Sequence, residues 1–331
     1  MNQDTYKPKV SIVMSFHNEP LQWIRFAVES ILEQTFKDFE LIIVCDGPEN
    51  SEGIAYIKEL QDNRIRFILN PENIGPTRSF NIAIAVAKGE YIARMDADDI
   101  SLPKRLETQV AYLDSHPDVS VCATDTHTID KDDKILRRNR YKRKRESALM
   151  FVSNCIAHPS VMYRRSLLET RNPIYNEEYR YSQDYELWQF LILEGHKIHM
   201  LDQVLLLYRR HKIQISSSNK ARQMELFKKA HKSFIINWLL NKGIISAEDS
   251  DNLKAMLGKS LKAYSSITDK EEKKQLTHVI YVLYHNLGSL DWRYRIRYLA
   301  DKNMIPFQVK FIFTLRLLFS SKKRRSRIDI A

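Results

Sequence analysis

At 331 residues with 44% hydrophobic content, the chain can bury a substantial core, in one large domain or in one domain plus an extension. Its three cysteines, Cys45, Cys122 and Cys155, are too few and too scattered for a disulfide framework or a CxxC zinc site, which fits a reducing compartment. The 52 Lys and Arg against 41 Asp and Glu give a formal charge of +11, favouring polyanionic partners such as nucleotide phosphates, nucleic acid or anionic lipid.

The polar N-terminus MNQDTYKPK lacks the apolar stretch of a signal peptide, and no run of about 18 apolar residues follows, so the protein is expected to stay in the cytoplasm. VSIVMSF, Val10 to Phe16, reads as a buried strand. After the breaker HNEP, Ile24, Ala27, Val28, Ile31 and Leu32 recur at helical spacing. ELIIVCD reads as a second strand, DGPENS as a turn, Ile54 to Gln61 as a helix and RIRFILN as a third strand. GPTRSFNIAIAVAKG reads as a helix stopped by Gly89, and EYIARMD as a fourth strand. This alternation predicts an α/β fold with a mostly parallel central sheet, in which ligands sit beyond the carboxyl ends of the strands. From Pro103 the pattern is mixed: a helix through KRLETQVAYLDSH, a hairpin around THTIDKDDKI and a loop-rich middle. Beyond about Ser218 it is helical. A boundary near residue 215 divides a nucleotide-binding catalytic domain, 1–215, from a helical region, 216–331, that ends in a basic amphipathic tail. No period of 20 to 50 residues repeats, which argues against a solenoid.

Asp96, Asp98 and Asp99 stand directly after the fourth strand, where three carboxylates repel one another unless something positive is held there. Oxygen-only ligands suit Mn²⁺ or Mg²⁺, bound together with phosphate oxygens of a substrate. An isolated DxD is also common by chance, and the other reading is an acidic turn in which Asp99 or Ser101 caps the next helix.

The surrounding segments decide between these readings. VSIVMSFHNE, ELIIVCDGPENS and NIGPTRSFNIAIAVAKGEYIARMDADD, in that order, resemble family 2 glycosyltransferases, inverting enzymes of the GT-A fold that use nucleotide-sugars. HPSVMYRRS, YSQDYELWQFL and YRRHKIQIS resemble segments of bacterial members that build surface polysaccharides. The resemblance covers about residues 8 to 218.

The resemblance implies roles residue by residue. Asp46 is the family's aspartate on the uracil edge, although Cys45 and Pro48 here replace the family's acidic or amide residue and serine. Ser15, His17 and Glu19 line the first loop, with Glu19 touching the nucleotide or capping the helix near Pro20. Arg78 approaches the diphosphate or pairs with a carboxylate. Asp96 matches the residue that contacts ribose and sugar, Asp98 the metal ligand, and Asp99 a cap or support. Asp184 is the base; the family's Glu-Asp is here Gln183-Asp184. His211 completes the metal site or touches the diphosphate. His158 shapes the acceptor pocket or starts a loop, and Trp188 reads as core packing more readily than as a sugar platform.

At the C-terminus, PFQVKFIFTLRLLFSSKKRRSR combines an apolar stretch of about 14 residues, too short to span a bilayer, with a polybasic end. That pattern fits an interfacial helix at the cytoplasmic face of the membrane, where a lipid-linked glycan is met. RRNRYKRKR, Arg137 to Arg145, lacks an accompanying helix-turn-helix, zinc module or RNP pattern, so no nucleic-acid partner is expected. The reading is a metal-dependent, inverting transfer of a hexose or N-acetylhexosamine from a UDP-sugar donor to a glycan or lipid-linked glycan acceptor. Its rivals are a sugar-phosphate nucleotidyltransferase, which needs a Gly-rich loop absent after the first strand, and a non-enzymatic binder of membrane or nucleic acid.

Overall fold

A computed structural model describes residues 7–139, 154–211, 214 and 219–288. Strand β1 (Val10–Phe16) lies between β2 (Phe39–Cys45) and β4 (Tyr91–Asp96), with β3 (Ile65–Leu69) outside β2, and all four are parallel. Near-continuous runs of Val, Ile and Leu suit this position, because helices cover both faces of a parallel sheet. The pleat sends successive β1 residues to opposite sides. Ile12, Met14 and Phe16 join one core with Ile24, Ala27, Val28 and Ile31 of α1 (Leu21–Leu32) and Leu106 and Val110 of α4 (Arg105–Ser115). Val13 joins the other core, with Phe80 and Ala83 of α3 (Pro76–Ala85) and Leu187, Trp188 and Leu191 of α6 (Gln183–Leu193). Helix α2 (Ser51–Glu59) is capped by Asn50, whose side chain accepts from Gly53 N–H.

The register aligns the strand ends. Ser15 stands opposite both Val44 and Asp96, so the loop after β1, the turn after β2 and the acidic turn after β4 emerge at one edge. The other half of the sheet is mixed: the order is β3-β2-β1-β4-β8-β6-β9-β5. Here β8 (Met162–Arg164) runs antiparallel to both β4 and β6 (Val119–Ile129), and β9 (Lys197–Arg209) runs parallel to β6. β7 (Ile135–Asn139) forms the expected hairpin with β6. The two-residue β5 (Ile100–Ser101) pairs antiparallel with β9, Ile100 opposite Leu207 and Ser101 opposite Leu206. That pairing sets the acidic turn beside the end of β9.

Neither Asp99 nor Ser101 caps a helix. Helix α4 starts at Arg105 after Lys104. Ser101 belongs to β5, and its Oγ accepts from the Gln34 amide at 3.2 Å. A short helix, α5 (Leu167–Thr170), follows β8.

The chain divides into two compact units, Met1–Asn237 and Trp238–Ala331. Helix α7 (Lys220–Asn241) supplies Leu226 and Ala230 to the core of the first. In the second, α8 (Leu253–Ser266), capped by the Asn252 side chain, packs on α9 (Lys270–Gly288). Met256, Leu257, Leu276 and Val279 are buried there. Among the described residues no helix is long and apolar enough to cross a membrane. The basic segment from Arg140 to Arg145 and the tail from Pro306 lie outside the described residues.

Candidate active site

At the end of β4 the chain turns back on itself, Asp99 N–H donating to Asp96 O at 3.3 Å. One carboxylate oxygen from each of Asp96, Asp98 and Asp99 comes within 4.8 Å of the others. Each aspartate is held differently. Asp96 pairs with Arg94 Nη2 at 2.7 Å, and the Arg94 guanidinium, nearly buried in the strand, lies over the Phe80 ring at 4.4 Å. Asp98 Oδ2 is 2.8 Å from His211 Nε2, and the His211 ring rests against Trp23 with centroids 4.6 Å apart. Asp99 is fully buried; its Oδ1 accepts from Arg209 N–H at 2.8 Å, while Oδ2 has no partner among the described residues.

Burial pushes the Asp99 carboxyl well above the usual range, and the Asp98 and Asp96 charges push it further. Asp96 is raised by burial, with Arg94 opposing. Clustered carboxylates with a spare buried oxygen are the donor set that a hard divalent cation such as Mn²⁺ or Mg²⁺ relieves, and the imidazole alongside is accommodated better by Mn²⁺ than by Mg²⁺. The residues therefore fit such an ion.

The first loop faces this turn. Glu19 does not cap α1; its Oε2 accepts from His17 N–H at 2.7 Å, and burial together with Asp98 and Asp96 raises its pKa. The His17 ring Nδ1 is 3.6 Å from Glu49, too far for a hydrogen bond. Ser15 is half-buried at the end of β1. Asp46 is 2% exposed and ties down the next loop: its oxygens accept from Asn70 Nδ2 (3.1 Å), Ile74 N–H (2.9 Å) and Gly75 N–H (2.9 Å). Gly75 has φ 92°, and a Cβ there would lie 3.2 Å from Arg180 Nη2. Arg78 pairs with Glu177 at 2.6 Å, both well exposed. With Ile74, Gly75, Thr77 and Arg180 they line a pocket of about 150 Å³.

Asp184 sits in the first turn of α6, and its Oδ2 accepts from Asn154 Nδ2 at 2.6 Å. Burial raises its pKa, while Asn154 and Arg94 hold it down. The Asp184 charge in turn raises the pKa of Asp96, and Arg94 feels both carboxylates, so the base candidate and the acidic turn share one electrostatic neighbourhood. His158 packs edge-on against Tyr175. It is buried, its Nε2 is 2.7 Å from Tyr175 Oη, and it packs edge-on to Trp188. Trp188 is fully buried, a core residue.

Sequence reading missed Arg94, Asn154, Arg209 and Trp23. For two of them a signal existed: Arg94 and Arg209 are charges inside apolar runs, IARMD and LLLYRR, that fold as strands. Asn154 and Trp23 carried none, since their partners arrive from distant segments.

The model of the family "Glycosyl transferase family 2" matches residues 11–171. The chain is 40% identical over 208 residues to an uncharacterized glycosyltransferase of Methanocaldococcus jannaschii, covering 61% of this chain and 71% of the relative. It is 32% identical over 209 residues to the O-antigen biosynthesis glycosyltransferase WbnJ of Escherichia coli, covering 61% of this chain and 80% of the relative. Among solved structures it resembles S. aureus TarS 1-349 in complex with UDP-GlcNAc, with a TM-score of 0.57 at 18% identity over 86% of this chain and 82% of that one. That likeness is one of fold, the GT-A architecture. The chain is a glycosyltransferase of family 2.

Proposed function

We propose that the protein transfers a hexose or N-acetylhexosamine from a UDP-sugar to a hydroxyl of a glycan acceptor, with inversion at the anomeric carbon. The observation that carries this reading is the acidic turn, where one carboxylate oxygen each of Asp96, Asp98 and Asp99 lies within 4.8 Å of the others and Asp98 is held by His211. In this reading residues 1–215 carry the catalysis.

Asp184 takes the proton of the acceptor hydroxyl as its oxygen forms the new bond to the anomeric carbon, and the bond from that carbon to the UDP oxygen breaks. Asn154 orients the carboxylate for that transfer. Asp96 receives the ribose and sugar, and Asp98 with His211 would hold the cation. A bound Mn²⁺ or Mg²⁺ supplies Lewis-acid stabilisation of the charge gathering on the departing diphosphate. Ser15, His17 and Glu19 border the nucleotide. Asp46 shapes the base pocket through the 73–75 loop, and Arg78 lies within reach of the diphosphate once it leaves Glu177. A UDP-sugar is favoured because the TarS structure of like fold holds UDP-GlcNAc. A glycan acceptor is favoured because WbnJ serves O-antigen biosynthesis. The apolar and polybasic C-terminal sequence supports a lipid-linked acceptor met at the cytoplasmic face of the membrane.

The test is a screen of UDP-sugars for UDP release dependent on Mn²⁺ or Mg²⁺, comparing wild type with Asp98→Ala and Asp184→Asn. Release by wild type alone supports the reading. Equal release from all three proteins removes both assignments.

A further inference from the structure

Arg209, at the end of β9, is fully buried, yet it carries a charge into a region already crowded with carboxylates. Its contacts run to three separate elements. Toward the acidic turn, its backbone N–H donates to Asp99 Oδ1 at 2.8 Å and its Nε donates to Asp98 O at 2.7 Å. Toward the β6–β7 turn, Nη1 donates to Asp130 O at 3.0 Å and pairs with Asp133 Oδ1 at 2.5 Å. Toward α1, the guanidinium lies 5.1 Å from the Trp23 ring centroid, and Trp23 is the ring that backs His211.

The two bonds to the acidic turn act on adjacent residues. One fixes the Asp98 carbonyl, the other fixes the Asp99 side chain, so together they set the orientation of the peptide plane between them. The Asp98 carboxylate projects from that fixed backbone toward His211. The bond to Asp99 comes from the backbone and survives a side-chain change; the guanidinium makes the Nε bond to Asp98 O together with the Nη1 contacts to Asp130 and Asp133, because its donors lie in a rigid planar fork that a lysine ammonium lacks.

We propose that Arg209 is a positioning residue for the cation site: it clamps the 96–99 turn to the β6–β7 turn so that Asp98 and His211 meet the ion at the right separation. This rests on the metal-dependent reading above. Asp133 is the counter-charge in the clamp. It has φ 65°, a left-handed conformation that asparagine tolerates, so Asp133→Asn removes the charge with little backbone strain.

The experiment is a calorimetric titration of Mn²⁺ into the full chain, without donor, for wild type, Arg209→Lys, Arg209→Gln and Asp133→Asn, with thermal melts of each. The expected result is a Kd for Mn²⁺ about 10- to 100-fold weaker in both Arg209 variants, as for other groups that orient metal ligands. Asp133→Asn weakens it less, and raising Mn²⁺ to saturation recovers most of the lost UDP release. A folded Arg209→Lys or Asp133→Asn protein that binds Mn²⁺ as tightly as wild type overturns the proposal, even if its melting temperature falls. So does tighter binding by Arg209→Gln, which would show that the arginine only repels the ion. Wild type that neither binds Mn²⁺ nor releases UDP sinks the metal-dependent reading itself. Wild type that binds, with variants unchanged, sinks this inference alone.

Discussion

His211 Nε2 lies 2.8 Å from Asp98 Oδ2 although the two residues are 113 positions apart. The short pairing of β5 with β9 makes the contact, because it sets the residues just before Ile100 beside those just after Tyr208. Replacing Asp98 with Ala should lower kcat about 100-fold or more, the scale of losing cation stabilisation at a leaving group. His211→Ala should cost less. If the two act on one ion, as proposed, the double variant should be little worse than Asp98→Ala alone. Steady-state UDP release by the four proteins at fixed Mn²⁺ measures this. Strictly additive losses would show two independent sites.

If Asp184 is the base, as proposed, it should set the acid limb of the pH profile. Its carboxyl is raised by burial, and a base must be ionised to accept a proton, so activity is lost as pH falls through the raised folded-state value. The limb in kcat/KM should therefore lie above the ordinary aspartate pKa of about 3.9. The Asn154 hydrogen bond favours the ionised form, so Asn154→Ala should move the limb upward and lower activity most at acid pH. Profiles of wild type and Asn154→Ala that superimpose would remove Asn154 from this role.

The parallel half of the fold was legible because its signals are local. Val10–Phe16 and the stripe Ile24, Ala27, Val28 and Ile31 declare a buried strand and a one-sided helix without reference to anything distant. β8 was hidden: three residues inside AHPSVMYRRS show no period, and only pairing with β4 and β6 makes them a strand. β5 is two residues long and equally silent, and it is what joins Asp98 to His211. The acidic residues were visible as a constellation. Their supports were not, since Arg94, Asn154 and Arg209 act through contacts that topology creates.

Trp188 separates core from site. It is fully buried and packs against His158, so Trp188→Ala should destabilise the protein by about 3–5 kcal/mol. Urea unfolding measures the loss. KM for the donor in the folded fraction should stay close to wild type; a large rise in KM with unchanged stability would instead make the ring a sugar platform.

Asp46 and Gly75 form one device for shaping the loop before α3. Both Asp46 oxygens are occupied, accepting from Asn70, Ile74 and Gly75, and Asp46→Asn leaves one oxygen and turns an NH₂ toward a backbone donor. Leaving buried donors unmatched costs about 1–3 kcal/mol. Gly75, at φ 92° and ψ 152°, occupies a region open essentially to glycine, so Gly75→Ala should cost about 1–3 kcal/mol as well. Its new methyl would also press on Arg180 Nη2. Both variants displace the wall of the pocket formed by Ile74 and Gly75 and should raise KM for the donor more than they lower kcat. Because the two substitutions disturb the same loop, their effects on KM should combine less than additively. Donor titrations of both single variants and the double variant, beside urea unfolding, test the coupling. Loss of stability with an unchanged donor KM would show that the loop serves the fold and not the nucleotide.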